Sequence, residues 1–157
     1  MNLGHQLAQD ISQVYSGKNW TAVDLKSVLE DVTWQEALQA VGDLNTIATL
    51  VHHMTYYVVG VTAVLQGGEL TIKDKYSFDH PTIAGAHDWL AVQQKVYANV
   101  EVFVGLVQRL TDKQLSADMA DPKYGSLYRN IAGIVQHCYY HLGQIVLLKK
   151  LIRASQS

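Results

Sequence analysis

The sequence predicts an all-α protein, a bundle of four long helices, and three observations carry that expectation. Apolar residues recur at three- and four-residue steps through four long stretches. No segment alternates apolar and polar residues as a half-buried strand would. Capping and breaking residues separate the long stretches, as short connections between packed helices require. The chain has 157 residues, enough for one domain (1–157) with a single substantial core.

The first helix is expected over about Asn2 to Tyr15, where Leu3, Leu7, Ile11 and Val14 form one apolar stripe, and Ser16-Gly17 closes it. A connection holding Trp20 and Trp34 then runs to Asp43. Within it, Thr33-Trp34-Gln35-Glu36 matches a capping box and predicts a short helix to Val41, ended by Gly42-Asp43. Asn45 is the expected cap of the second long helix, Thr46 to about Gln66, which contains no Asp, Glu, Lys or Arg. Such a helix is buried in its own fold or covered by a partner, and a homodimer is one expectation. Gly67-Gly68 ends it.

Glu69 to Pro81 is a polar connection, longer than is usual in compact bundles. The third long helix is expected over Ile83 to Leu110, with Trp89, Val96, Val100, Phe103, Val107 and Leu110 along one side. Thr111-Asp112-Lys113-Gln114 reads as a second capping box, and Asp118 to Tyr124 as a polar loop. The fourth long helix spans about Ser126 to Ile152, and Lys149, Lys150 and Arg153 place positive charge at its C-terminus, where the macrodipole favours it.

Composition narrows the function classes. A net charge of -2 with no basic block argues against a nucleic-acid surface. No apolar run is expected to span a bilayer, and the N-terminus lacks a signal-peptide pattern. The expectation is a cytoplasmic protein without nucleic-acid or membrane partners. Cys138 is the only cysteine, which excludes an intramolecular disulfide and a multi-cysteine zinc site; between apolar and aromatic neighbours it reads as a small hydrophobe.

The histidines carry the chemical signal. Of seven, His5, His80 and His87 lie near a terminus or beside Pro81 and read as surface residues. His137 and His141 stand one above the other on the fourth helix, sharing a face with Asn130, Ile134, Gln144 and Leu148. Two stacked interior imidazoles need hydrogen-bond partners or a metal ion, and a histidine on the second helix makes the metal the better account. His53 shares a continuous apolar face with Leu50, Met54, Tyr57, Gly60 and Val64; His52 is rotated about 100° away, towards Ala48, Thr49, Tyr56 and Val59. Those faces overlap, so periodicity favours His53 only narrowly.

Neither helix offers a carboxylate, which excludes a di-iron Glu-x-x-His site there. Cys138 stands where a zinc protease needs Glu, which excludes His-Glu-x-x-His. What fits is a mononuclear three-histidine site with open positions, suited to zinc, nickel, iron or copper. Water on such an ion ionises near neutral pH, and an added thiol would be held as the thiolate; either is the expected nucleophile.

The run His137-Cys138-Tyr139-Tyr140-His141-Leu142-Gly143-Gln144-Ile145 resembles the fourth-helix motif of the DinB/YfiT-like superfamily, and Asn45 to Met54 is similar to its second-helix segment. Trp20-Thr21, Lys75-Tyr76-Ser77-Phe78 and Lys123-Tyr124-Gly125 look like a subgroup of it. The resemblance implies an antiparallel four-helix bundle, often dimeric, and His53, His137 and His141 as ligands of one divalent ion, zinc or nickel foremost and iron as a further candidate. It implies a metal-dependent thiol S-transferase or hydrolase acting on a small molecule, with a low-molecular-weight thiol as a candidate substrate. The alternatives are a non-catalytic metal-binding or stress-related protein and a bundle without metal. Gln144 is expected behind His141, and Tyr57 and Tyr140 along the pocket.

Overall fold

The computed structural model describes residues 2–155 and is helical throughout; among the described residues the only β feature is a single bridge between Asp118 and Ser126. Four long helices form the frame: α1 (Leu3–Ser16), α4 (Ile47–Leu65), α5 (Ala86–Val107) and α7 (Leu127–Ala154). Short helices α2 (Leu25–Leu29), α3 (Trp34–Leu38) and α6 (Asp112–Ser116) lie between them. Helices α1 and α4 each pack against both α5 and α7, so the four close into a ring around one core. Tyr15, Phe103, Met54, Ile131 and Ile145 fill its centre, fully buried.

Local chemistry explains the boundaries. Asn2 caps α1, its Oδ1 accepting from the His5 amide at 3.2 Å. In the Thr33 box, the Glu36 carboxylate accepts from the Thr33 amide at 2.8 Å while Thr33 Oγ1 accepts from the Glu36 amide at 3.2 Å. That helix stops at Leu38 rather than Val41, because the backbone turns extended at Gln39. Helix α4 is capped by Thr46 and not by Asn45: Thr46 has the extended cap conformation and accepts from the Thr49 amide. It ends as expected at Gly67, whose φ of +87 suits glycine.

Helix α5 starts at Ala86, three residues after the expected Ile83, which instead plugs the core from the preceding loop. Asp88 Oδ2 accepts from the Ala84 amide and fixes that entry. The connection after Gly17 holds an unexpected helix, α2, capped by Asp24 and burying Leu25, Val28 and Leu29. Lys149 and Arg153 do more than meet a helix dipole. Lys149 bonds the Val28 carbonyl and Asp31, and Arg153 holds Asp31 and Glu36, each at 2.8 Å, tying the end of α7 to the segment carrying α2 and α3.

One expectation needs correcting here. Helix α4, with 19 residues and no charge, is long and apolar enough to cross a membrane by length and composition. In this fold its Ile47, Leu50, Val51, Met54, Val58 and Val61 are buried, and the helix packs against α5 and α7.

Candidate metal centre

His53 on α4 meets His137 and His141 on α7. His137 Nε2 lies 3.0 Å from His53 Nε2 and 3.0 Å from His141 Nε2. An ion with nitrogen ligands at about 2.0–2.1 Å, at angles between octahedral and tetrahedral, sets them about 2.8–3.4 Å apart. His53 and His141 are buried and His137 half-buried, and together they form a group that could hold a metal ion. His52 faces away, into a separate cavity of about 240 Å³ beside Lys95 and Asn99.

The outer nitrogens show what the inner ones can do. Ser77 Oγ donates to the Asp74 carbonyl at 2.7 Å, leaving its oxygen to accept from His53 Nδ1 at 3.0 Å. Gln144 Oε1 accepts from His141 Nδ1 at 2.6 Å. Both imidazoles therefore carry their proton on Nδ1 and turn an Nε2 lone pair inward. His137 can donate to only one of these lone pairs, and its own Nδ1 is buried without a partner among the described residues. Whichever nitrogen of His137 is protonated, at least one inward Nε2 lone pair stays uncompensated, which costs about 1–3 kcal/mol. A cation at the centre would satisfy all three lone pairs at once. The donor set fits a metal better than it fits an ordinary hydrogen-bonded core.

The loop between α4 and α5 supports this cluster. Tyr56 Oη bonds both the amide and the carbonyl of Lys73 at 3.0 Å, and Tyr57 Oη donates to Asp74 Oδ1 at 3.2 Å. Ile72 seats on Gly60, where an added Cβ would stand 2.5 Å from Ile72 Cδ1. The clamped loop delivers Ser77, fully buried, and Phe78, whose ring stacks on His53 at 4.1 Å. Tyr57 meets His53 and His137 edge-on. A cleft of about 520 Å³ opens beside His137, with Tyr57, Ile72, Met119, Arg129 and Asn130 among its walls.

The DinB superfamily model matches residues 19–145, most of the chain and all three histidines. The chain belongs to the DinB superfamily. No curated protein and no solved structure matches it.

In this DinB-superfamily chain the expected residues fall in three groups. His53, His137 and His141 converge, Gln144 stands behind His141, and Tyr57 lines the cleft. Tyr140 does not line it: its ring lies 4.9 Å from His141 on the outer side, 64% exposed. Ser77, Phe78 and Asp74 were absent from the sequence-based site. Their signals in the sequence were the length of the loop that carries them and, for Ser77 and Phe78, the Lys75-Tyr76-Ser77-Phe78 run.

Burial also sets the protonation of the cluster. It lowers His53, with His141 adding to the effect and a backbone hydrogen bond at Ser77 opposing it. Burial, then the neighbouring His141 and His53, pushes His137 down to about 4. Near neutral pH His53 and His137 are therefore uncharged, as metal ligands must be. Burial likewise pushes the Cys138 thiol up to about 12 despite its contact with Tyr15, so it is a packed hydrophobe and not a nucleophile.

A pH dependence follows. Between the ordinary 6.5 and about 4 the unfolded chain binds protons that folded His137 refuses, so folding stability rises with pH. Metal-free protein should lose stability as pH falls through that window. The His137→Gln variant should lose less, which urea melts at pH values on either side will read; equal losses would count against a depressed His137.

Proposed function

We propose that the protein holds one divalent ion, zinc or nickel foremost and iron as a further candidate, on His53, His137 and His141, and acts on a small molecule by thiol transfer or hydrolysis. The observation that carries this is the convergence of three Nε2 atoms, two of them turned inward as lone pairs by the bonds of Ser77 and Gln144 to the outer nitrogens. Bound there, the ion would supply Lewis-acid chemistry, bringing the pKa of water or a thiol towards neutrality.

The chain's own residues do the rest. Ser77 and Gln144 fix the tautomers and orientation of His53 and His141. Phe78 and Tyr57 wall two sides of the cluster and exclude water. The cleft admits a small molecule beside His137, and Asp74 Oδ1, holding the Tyr57 hydroxyl, is placed to take a proton at that end. Tyr140, Leu147 and Leu151 are exposed along α7 and offer the surface for the homodimer this reading includes.

Elemental analysis of protein purified without an affinity tag tests the metal, with about one zinc or nickel per chain expected. A screen of thiol conjugation and ester hydrolysis tests the chemistry, with turnover lost on chelation and regained on reloading. Metal without turnover would favour a non-catalytic binder. Neither bound metal nor stabilisation by added Zn²⁺ or Ni²⁺ would sink both readings.

A further inference from the structure

Of the two cations that line the cleft, Lys123 and Arg129, only Arg129 lacks a partner among the described residues. Lys123, also on the cleft, pairs with Asp121 at 3.0 Å and lies over the Tyr124 ring. Lys149 and Arg153 are taken up by Asp31 and Glu36. The Arg129 guanidinium has no hydrogen bond or ion pair among the described residues, yet it lines the cleft that reaches His137. Its position is electrostatically poor for folding alone. It sits in the first turn of α7, where the macrodipole disfavours a cation, and that turn holds no acidic residue to offset it.

The neighbouring loop leaves room for it. Gly125 has a φ of +74, and a Cβ there would press on Arg129 Cδ and Nη1 at 3.3 Å. Asn130 does not compete for the same ligand atoms, because its amide is spent on the Tyr124 and Ser126 carbonyls. The cleft is thus polarised along its length. Asp74, its one lining carboxylate, accepts the Tyr57 hydroxyl at the histidine end, and Arg129 stands towards the other. Val61, Leu70, Ile72 and Ile134 make the walls between them apolar. Arg129 and His137 lie eight residues apart on one helix, about 12 Å along its axis.

We propose that this cleft takes a small-molecule carboxylate whose anionic group is held by Arg129 while an apolar body lies along the cleft and the reacting end reaches the three histidines. The guanidinium fork matches a carboxylate in two parallel hydrogen bonds. A single uncompensated cation also matches one negative charge better than a phosphate dianion. The proposal rests on the cleft being the substrate site of the three-histidine centre, and it makes Arg129 a specificity residue.

The test compares two probes of one length, mercaptohexanoate and mercaptohexanol, by titration calorimetry on zinc-loaded protein. Wild type should bind the carboxylate about tenfold more tightly, a preference of about 1.4 kcal/mol. Arg129→Gln should reduce the preference to less than about twofold and leave mercaptohexanol affinity unchanged. Arg129 is exposed, so the variant should melt with wild type. Equal affinity of wild type for the two probes, or a preference that survives in Arg129→Gln, overturns the proposal. Repeating the titration on chelator-treated protein separates it from the metal reading. If zinc fails to bind, the metal reading falls, while a carboxylate preference that Arg129→Gln removes still supports the anion site and equal binding still overturns it.

Discussion

The His137→Ala variant will lose stoichiometric metal while keeping its helical fold. Removing one of three ligands should weaken binding by more than the 10–100-fold typical of outer-shell partners, so at least about 100-fold is expected. The fold should survive, since His137 is only half-buried and its Nδ1 satisfies nothing. The core of α7 rests on Ile131, Ile134, Cys138 and Ile145, which the change leaves in place. Thermal melts report the difference without any assay of turnover. At a metal concentration of about 100 times the dissociation constant, binding stabilises the native state by about 2.7 kcal/mol. For a domain of this size that is a rise of about 5–10 °C in Tm. Wild type should show that rise with Zn²⁺ or Ni²⁺, and His137→Ala none. His52→Ala is the control and should retain the full rise, because His52 faces the cavity on the other side of α4. A rise that persists in His137→Ala would place the ion elsewhere.

The parts of this molecule legible in its sequence are those encoded by local spacing. Long helices announce themselves because one face must stay apolar over several turns, and the His137/His141 pair is such a spacing on α7. Where the deciding contact is short or lies far along the chain, the sequence is less informative. Helix α2 has five residues, too few for a periodic signal, and its existence rests on Asp24 capping and three buried side chains. Asn45 and Thr46 are adjacent residues of good capping type, and only the backbone conformation at Thr46 selects between them.

His52 and His53 pose the same difficulty in a sharper form. Helix α4 is packed on both α5 and α7, so apolar residues border each histidine and the stripe cannot single one out. The α4–α7 contact does so, by bringing His53 alone to the pair on α7. Ser77 was the least legible of all. It lies 24 residues from His53, in a loop with no regular pattern, and becomes part of the site only because Tyr56, Tyr57 and Ile72 fasten that loop to α4.

That dependence makes Ser77→Ala the most informative change outside the three histidines. The Ser77 hydroxyl accepts from His53 Nδ1 and is wholly buried, so water cannot take its place. Without it the His53 ring loses the bond that fixes its proton on Nδ1, although the stacked Phe78 still holds its plane. Metal affinity should fall about 10–100-fold, and the metal-free fold should lose about 1–3 kcal/mol from the unsatisfied Nδ1–H. Gln144→Ala removes the matching acceptor from His141, but Gln144 is only half-buried and water can replace its oxygen. Its effect on affinity should therefore be the smaller of the two. Competition with a chromogenic chelator measures both on one scale. If the order is reversed, or if Ser77→Ala binds zinc as wild type does, the loop is a cover for the histidines and not a support for their chemistry.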